Sequence, residues 1–239
     1  VRAQLGINAA SALNLSPKAS MACGLAPELL HNASLIHDDL QDGDVMRRGT
    51  PAVWSRYGKG IAISAGDLLI SAAYMAITNH PQPAAALHVM HDAIAITIAG
   101  QTADCCTGQP PPEDCASIAA KKSGPLLALP IRLALIAAKV PGQEIVISAG
   151  SALAVAYQTL DDISDRVADL ENGITNICLS LEAVGHAPAV AQMIACNRAY
   201  SALETAKQDA STLQNGAGAS LLDLADYLET QLQDISNAP

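Results

Sequence analysis

Apolar residues along this chain occur in long runs that polar residues and prolines interrupt, rather than in the alternation typical of a half-buried strand. The runs are rich in Ala and Leu, which favour helix, and contain few β-branched alternations. Prolines lie mostly between the runs, as expected at helix ends. These prolines are Pro17, Pro27, Pro51, Pro81, Pro83, Pro110, Pro111, Pro112 and Pro141. The pattern therefore predicts an all-α chain whose helices are punctuated by proline.

Two prolines, Pro125 and Pro130, do not fit this punctuation, because they lie inside an apolar run that they should kink or begin. The 239 residues suffice for one sizeable core, so we expect a single domain over residues 1–239. The chain opens on Val1 rather than Met, and we expect its natural N-terminus to lie upstream. The proline-rich segment 108–114 is interpreted as an ordinary surface connection.

Composition and charge narrow the classes of partner. No stretch of about 18 apolar residues is free of both charge and proline, so no membrane span is predicted. Residues 61–78 come closest, but they contain Asp67. The formal net charge of −10 argues against nucleic acid or an anionic membrane as a partner. The six cysteines show no CxxC spacing, which indicates buried, reduced thiols in a cytoplasmic enzyme.

Two aspartate clusters with the same DDxxD spacing lie about half the chain apart: Asp38-Asp39-Leu40-Gln41-Asp42 and Asp161-Asp162-Ile163-Ser164-Asp165. In a helix, the first and last Asp of each cluster leave the same face, and the middle Asp lies about 100° further round. Like charges in one turn repel each other, so two such turns need cations between them. Oxygen ligands without Cys or His favour Mg²⁺, and Mg²⁺ with few protein ligands indicates a phosphate-bearing substrate. The candidate metal ligands are Asp38, Asp39, Asp42, Asp161, Asp162 and Asp165.

The residues that precede each cluster decide between two interpretations. A lone DDxxD is more typical of a solvated helix end, where carboxylates face water. Here apolar stretches lead into both clusters, at residues 32–37 and 152–158. The pattern therefore favours carboxylates at the mouth of an apolar, helical cavity.

Shorter motifs accompany the clusters in a fixed order over nearly the whole chain. They are Ser34-Leu35-Ile36-His37-Asp38-Asp39-Leu40-Gln41-Asp42, Arg47-Arg48-Gly49-Thr50-Pro51, Ala65-Gly66-Asp67-Leu68-Leu69, Gly100-Gln101 with Asp104, Lys122-Ser123-Gly124, and Tyr157-Gln158-Thr159-Leu160-Asp161-Asp162. The ordered set resembles the trans-isoprenyl diphosphate synthases (polyprenyl synthetases). The resemblance implies an all-α, isoprenoid synthase-type bundle of about ten or more helices around a central cavity, with the two clusters facing each other across it.

The resemblance also implies roles for basic and polar residues. Arg47 would bind the allylic diphosphate and Arg48 the isopentenyl diphosphate, since adjacent guanidiniums can serve two phosphate groups; a solvated pair is the alternative. Further substrate contacts would come from Arg2, from His31 two helical turns before Asp38, from Lys122 (or Lys121) with Ser123, and from Gln158. Catalysis would depend most on Asp38, Asp42, Asp161 and Lys122. His37 is interpreted as structural, and His80, His88, His91 and His186 lie in no context that indicates a ligand.

Two departures from the family pattern concern lysines. The lysine of the family's Gly-Lys-Arg-x-Arg segment would precede Val1, and only Arg2 matches the last residue of that segment. Family members also carry a Gly-Lys shortly after the second cluster, whereas residues 166–176 contain no lysine. If this donor is lost, we expect weaker catalysis and a site more open to water.

The activity implied is Mg²⁺-dependent, head-to-tail transfer of an allylic group to isopentenyl diphosphate by a homodimer. Ionisation of an allylic diphosphate needs charge stabilisation rather than a protein nucleophile, and the sequence offers no Ser-His-Asp or Cys-His arrangement. Two alternatives stay open. A class I terpene cyclase usually has an aromatic-rich pocket, whereas this chain has one Trp and no Phe. A non-catalytic partner subunit of a prenyl synthase is supported only by the missing lysines.

Product length depends on residues just before the first cluster. In the family, bulky aromatics at the fourth or fifth position before the first Asp stop growth at the farnesyl stage. Those positions are Ser34 and Ala33, both small, and Leu30 lies one turn deeper as a candidate floor. We therefore expect a product of geranylgeranyl length or longer.

Overall fold

A computed structural model describes residues 1–106 and 109–236. Within these residues the chain forms ten α-helices, a 3-10 turn (Gln214–Gly216) and one hairpin of two-residue strands, β1 (Met46–Arg47) and β2 (Thr50–Pro51). The helices are α1 (Arg2–Ala12), α2 (Pro17–Asp42), α3 (Val53–Tyr57), α4 (Lys59–Ile77), α5 (Pro83–Cys106), α6 (Pro112–Ala138), α7 (Gln143–Asn172), α8 (Ile177–Ala183), α9 (Pro188–Thr212) and α10 (Ala219–Ser236). The predicted all-α class is confirmed.

The chain divides into two compact units. Unit 1 comprises Val1–Ile94 and Leu129–Pro141, and unit 2 comprises Ala95–Ala128 and Gly142–Pro239. Helices α5 and α6 each contribute residues to both units. The single domain over residues 1–239 stays a prediction.

Unit 1 is built around the packing of α2 against α1 and α4. Its core contains many small side chains, which let helix axes approach closely. Buried members include Ala26, Leu30, Ala33, Ala62, Ala73 and Ile77. His80 is also buried in this unit, where its Nε2 lies 2.9 Å from the Leu133 carbonyl oxygen and its Nδ1 accepts from the Gln82 N–H. These contacts hold the His80 ring inside the unit.

Unit 2 is built around α7, which packs against α9, while α10 packs against both. The core again combines Leu and Ala, including Leu153, Ala199, Leu203, Leu221 and Leu228. Lys207 on α9 forms ion pairs with Asp226 and Glu229 on α10. Since these three side chains are partly or largely exposed, the apolar contacts dominate the packing of this helix pair.

Prolines begin several helices, as the sequence pattern predicted. Pro17, Pro83 and Pro112 each occupy the first position of a helix, where the missing N–H costs no hydrogen bond. Pro27 was wrongly placed between runs, because it lies buried inside α2. Burial of the apolar residues on both sides of Pro27 outweighs the loss of one backbone hydrogen bond. Pro125 and Pro130 likewise lie inside α6.

Five cysteines whose side chains are described are reduced thiols: Cys23, Cys105, Cys115, Cys178 and Cys196. Three are buried, as predicted, whereas Cys105 is exposed and Cys115 is half-buried. Burial raises the pKa of Cys23 and of Cys178 to about 12. These two thiols are therefore unreactive near neutral pH.

Two helices meet the simplest criterion for a membrane span. Helix α4 (Lys59–Ile77) and the segment Pro83–Cys105 of α5 are long and apolar enough by length and composition alone. Core helices of soluble proteins meet the same criterion, so the observation is weak evidence, and the absence of a membrane span stays a prediction. Asp67, which interrupts the apolar run in α4, is exposed.

Candidate functional site

The first aspartate cluster occupies the last turn of α2, which ends at Asp42 and is capped by Gly43 in the left-handed conformation (φ 77°). Asp42 is exposed and Asp38 is half-buried, whereas only 3% of the middle residue, Asp39, is accessible. His31 precedes Asp38 by two turns on nearly the same face and is also half-buried. The two outer carboxylates therefore reach solvent, and the middle carboxylate does not.

Asp39 binds Arg47 of strand β1. The Arg47 Nε donates to Asp39 Oδ1 over 2.5 Å, and Nη2 contacts the same oxygen. Asp44 adds a weaker contact at 3.7 Å. Desolvation alone would lower the pKa of Arg47, but the hydrogen bond and charge of Asp39 raise it. Arg47, predicted to bind the allylic diphosphate, thus already has a carboxylate partner within the protein.

Arg48 and Gly49 form the two-residue tip of the β1–β2 hairpin. Both have positive φ, 51° and 78°, as the favoured two-residue hairpin turn requires. A non-glycine residue in this conformation is uncommon, and such residues often lie at functional sites. The sequence had indicated a loop here but not the hairpin, at whose tip Arg48 is exposed.

His31 lies in a positively charged environment. Burial, followed by the charge of Arg2, lowers the pKa of His31 to about 3; Arg48 acts in the same direction, whereas Glu28 opposes them. His31 is therefore neutral at physiological pH. Unit 1 brings together Arg2, His31 and Arg48, three of the predicted substrate contacts, in one region that favours an anion.

His37, the neighbour of the first cluster, packs against α4. A Cβ atom on Gly66 would lie 2.1 Å from the His37 Nε2, so a larger residue at position 66 would displace the His37 ring. The same nitrogen is 3.9 Å from Asp67 Oδ1. This packing agrees with the structural role predicted for His37.

The residues predicted to control product length differ in accessibility. Leu30 and Ala33 are buried, with 3% and 1% of their surface accessible, so neither borders open space. Ser34 is half-buried, and its hydroxyl donates to the His31 carbonyl over 2.9 Å. Among these three residues, Ser34 is the one whose surface is partly accessible.

The second cluster lies within α7, well before the helix ends at Asn172. Asp161 and Asp165 are exposed, whereas 6% of Asp162 is accessible. The Asp162 carboxylate accepts from Gln158 Nε2 and from the Ile177 N–H of α8, each over 2.8 Å. Burial is the main cause that raises the pKa of Asp162 to about 6, and these two donors oppose it.

Lys122 of α6 lies beside the second cluster in unit 2. Its Nζ donates to Asp104 Oδ2 over 2.5 Å. Desolvation, followed by the charges of Asp165 and Asp169, raises the pKa of Asp161, and the charge of Lys122 opposes this rise. A Cβ on Gly100 would lie 2.3 Å from the Lys122 backbone nitrogen, so glycine at this position lets α5 approach α6. The neighbouring Ser123 is half-buried, and Lys121 is exposed.

The described residues contain no preformed group of three or more His, Cys, Asp or Glu side chains at metal-binding distance. The donor set nevertheless suits Mg²⁺, because each cluster offers two outer carboxylates one turn apart, and Mg²⁺ usually keeps waters and phosphate oxygens as its other ligands. Asp39 and Asp162 are already bound by protein donors. A metal role for these two middle residues stays a prediction.

Sequence reasoning missed the polar contacts after α7. Gln109, assigned to an ordinary surface connection, donates from Nε2 to the Ile174 carbonyl and accepts from the Asn176 N–H through Oε1. Arg166 forms a bidentate ion pair with Glu182. Gln109 and Asn176 are 67 residues apart, and no local sequence pattern predicts a hydrogen bond between them.

A profile of the polyprenyl synthetase family matches residues 1–178. The chain belongs to this family. A (2E,6E)-farnesyl diphosphate synthase of Mycobacterium tuberculosis is 31% identical over 170 residues, which are 68% of this chain and 47% of that protein. The chain therefore spans about half the length of the curated relatives it matches.

Two further similarities are to a solved structure and to a plant protein. A geranylgeranyl pyrophosphate synthetase structure from Geoglobus acetivorans superposes with a TM-score of 0.85 at 22% identity, covering 95% of this chain and 86% of that one. This likeness confirms the isoprenoid synthase-type fold. The small subunit of a heterodimeric geranylgeranyl pyrophosphate synthase from Arabidopsis thaliana is 50% identical over 64 residues, which are 26% of this chain and 19% of that subunit.

Proposed function

We propose that this protein is a Mg²⁺-dependent, head-to-tail prenyltransferase that condenses isopentenyl diphosphate with an allylic diphosphate. The observation that carries the proposal is that the outer and middle aspartates of each cluster have different surroundings. The outer aspartates are accessible, while the middle aspartate is bound by the protein. Basic residues lie near predicted site residues in both units: Arg2 and Arg48 near His31 in unit 1, and Lys122 near Asp161 in unit 2.

Each outer pair would hold Mg²⁺: Asp38 and Asp42 on α2, and Asp161 and Asp165 on α7. When bound, it would neutralise the diphosphate charge and make pyrophosphate a better leaving group. The four carboxylates orient the metal rather than transfer protons. Lys122 contributes positive charge beside Asp161, where it would stabilise the departing diphosphate.

The proposed reaction needs no nucleophile from the protein, because each bond that breaks is matched by one that forms. The allylic C–O bond breaks, the terminal double bond of isopentenyl diphosphate attacks the allylic carbon, and a proton leaves the adduct, with pyrophosphate as its acceptor. Because His31 is neutral at physiological pH, it can donate a hydrogen bond to a diphosphate oxygen without repelling the positive charges of Arg2 and Arg48. Gln158 is engaged with Asp162 and so would act by fixing the cluster or by its remaining amide contacts.

Product length is part of the same proposal. We infer a product of geranylgeranyl length or longer from the small side chain of Ser34 on the Asp38 face. The names of the relatives do not decide it, because the mycobacterial relative is a farnesyl synthase and the Arabidopsis relative is a subunit of a geranylgeranyl synthase. Ser34 is better suited to a test than Ala33, since any larger side chain at Ala33 must displace packed neighbours.

We further propose a homodimer in the cytoplasm. Helix α4 leaves large apolar side chains exposed, and a second copy covering them would remove apolar surface from water. They are Ile61, Ile63, Leu68 and Met75. Sedimentation velocity at micromolar concentration tests the assembly. A dimer that Leu68→Asp converts to monomer supports it, and a wild-type monomer contradicts it.

The similarity to the Arabidopsis small subunit favours one second candidate, a partner subunit that modulates a prenyl synthase. Incubation with Mg²⁺, isopentenyl diphosphate and dimethylallyl, geranyl or farnesyl diphosphate separates the two functions. We expect elongated diphosphates from the protein alone, lost on addition of EDTA and restored by Mg²⁺. Activity only after mixing with a catalytic synthase would support the partner subunit, and release of a cyclic hydrocarbon would support a cyclase.

A further inference from the structure

Asn176, in the turn between α7 and α8, uses its whole side-chain amide in hydrogen bonds. It is completely buried. Its Nδ2 donates to the Asp162 carbonyl over 2.6 Å and to Asp169 Oδ2 over 2.7 Å. Its Oδ1 accepts from the Cys178 N–H over 2.9 Å and, at 3.4 Å, from the Leu179 N–H. A buried side chain with every position satisfied holds its neighbours in one arrangement.

The two acceptors of Asn176 bracket the second aspartate cluster. Asp162 and Asp169 lie two turns apart on α7, and Asp165 lies between them in sequence. A donor that binds both fixes the turn that carries Asp161 and Asp165. The side chain of Asp162 is held at the same junction by the N–H of Ile177, the residue after Asn176.

Gln109 holds Asn176 in turn. Its Oε1 accepts from the Asn176 N–H over 3.2 Å and from the Ser180 hydroxyl over 3.1 Å, and its Nε2 donates to the Ile174 carbonyl over 2.5 Å. The turn after α7 is therefore tied to the rest of unit 2 by side chains, rather than only by its own backbone.

We propose that Asn176 is a positioning residue for the second aspartate cluster, acting through the two hydrogen bonds that its amide nitrogen donates to α7. The inference rests on the proposed role of Asp161 and Asp165 in holding Mg²⁺. Capping of α8 needs only the side-chain oxygen, which Ser or Asp also supplies. The amide donor is what neither Ser nor Asp provides, so capping and positioning can be separated by substitution.

Three single variants separate these roles. Asn176→Ser keeps a cap but removes both donors, and Asn176→Asp keeps the cap while placing a second carboxylate against Asp169. Asn172→Asp is the matched control, because Asn172 is exposed at the end of α7, donates only locally to the Ala168 carbonyl, and gains the same charge.

Hydrogen exchange of the backbone amides in 161–170 is the first measurement, and it needs neither substrate nor metal. We expect exchange about tenfold faster in Asn176→Ser and faster still in Asn176→Asp, with wild-type rates in the control and in α9 and α10 of all variants. The second measurement is thermal unfolding at a fixed concentration of inorganic pyrophosphate and increasing Mg²⁺. It gives the Mg²⁺ concentration at which the rise in Tm reaches half of its maximum. We expect it to rise about tenfold in Asn176→Ser, at the low end of the effect of residues that orient metal ligands.

A compensating change sharpens the test. Adding Asp169→Asn to Asn176→Asp restores one donor–acceptor pair between positions 169 and 176. We expect slower exchange in 161–170 in this double variant than in Asn176→Asp alone. The proposal is overturned if exchange in 161–170 is unchanged by Asn176→Ser, or if it accelerates equally in α9 and α10. A wild type without transferase activity would count against the proposed function instead, while the exchange data would still decide the role of Asn176.

Discussion

The two aspartate clusters share one sequence pattern but are anchored differently. In the first, the buried middle residue Asp39 forms an ion pair with Arg47, which lies on a hairpin beyond the helix end. In the second, the buried middle residue Asp162 accepts uncharged hydrogen bonds from Gln158 and from the start of α8. The outer residues are the accessible ones in both clusters.

This difference shows that DDxxD specifies the outer pair, whereas the surroundings specify the anchor. A helix turn places the first and last carboxylates on one face wherever it occurs. The middle carboxylate points elsewhere, and its partner depends on which segment folds against that side of the helix. A cationic side chain that anchors an aspartate can also bind a substrate. A backbone N–H at the start of a helix cannot move unless the helix moves.

The largest expected effect comes from removing an outer carboxylate of either cluster. Asp38→Ala and Asp161→Ala should each reduce kcat by about 100-fold or more, because charge stabilisation of the leaving diphosphate is lost. Steady-state assays with matched circular dichroism spectra check this expectation. Ser164→Ala, in the same turn as Asp161, is the control and should retain near-normal activity. Near-normal turnover in Asp161→Ala would remove that residue from the metal site.

Replacing each middle aspartate by asparagine should show how much each anchor contributes to the free energy of unfolding. Asp39→Asn leaves Arg47 without its close partner and should cost about 2 kcal/mol in the free energy of unfolding, reduced from a fully buried pair by the partial exposure of Arg47. Asp162→Asn keeps an acceptor and can re-pair with Gln158, so it should cost about 1 kcal/mol. Urea unfolding of both variants measures the difference. Equal costs would show that the ionic anchor is no stronger than the neutral one.

The pH dependence of stability should have opposite signs near the two clusters. His31, with a folded pKa of about 3 against an ordinary 6.5, contributes stability above pH 6.5 that is lost as pH falls. Asp162, raised from 3.8 to about 6, contributes stability at low pH that is lost as pH rises through 6. Each group changes the slope by at most about 1.4 kcal/mol per pH unit.

Metal-free unfolding in urea between pH 4 and 7 tests these signs. His31→Gln should reduce the loss of stability on acidification, and Asp162→Asn should increase it. Asn32→Gln, an exposed neighbour of His31, is the control for the first change. Parallel pH profiles for wild type and both variants would show that neither group titrates differently in the folded protein.

The smallest effect concerns product length at the first cluster alone. Ser34→Phe should shift products toward shorter chains with little change in total turnover, because the new ring projects beside the Asp38 face. Chromatography of dephosphorylated products measures the distribution. Ser164→Phe places the same ring at an exposed position beside the second cluster and should leave the distribution unchanged. An unchanged distribution in Ser34→Phe would remove position 34 from the chain-length determinants.

Sequence was a good guide where the determining interactions are local. Helix starts at Pro17, Pro83 and Pro112 follow from the fixed φ of proline, and the outer Asp pairs follow from helix periodicity. Pro27 broke the rule, because tertiary burial of α2 overrides one missing hydrogen bond. Local rules therefore locate most helix starts and the accessible carboxylates.

The anchors could not be found in this way. The partner of Asp162 lies 15 residues away across a turn, and Gln109 reaches Asn176 over 67 residues. The burial of Ala33 depends on the packing of α2 in unit 1, which the small side chain at that position does not reveal. Contacts between separated segments depend on the fold, so a single sequence predicts the ligating pairs but not what holds them.

Calorimetric titration of Mg²⁺ in the presence of inorganic pyrophosphate tests the division between outer and middle aspartates most directly. The set comprises wild type, Asp38→Asn, Asp39→Asn, Asp161→Asn and Asp162→Asn, all studied at a temperature where circular dichroism shows each to be folded. Both outer variants should weaken Mg²⁺ binding about tenfold or more, while both middle variants should stay within about threefold of wild type. Middle variants that lose as much Mg²⁺ affinity as the outer ones would contradict this division.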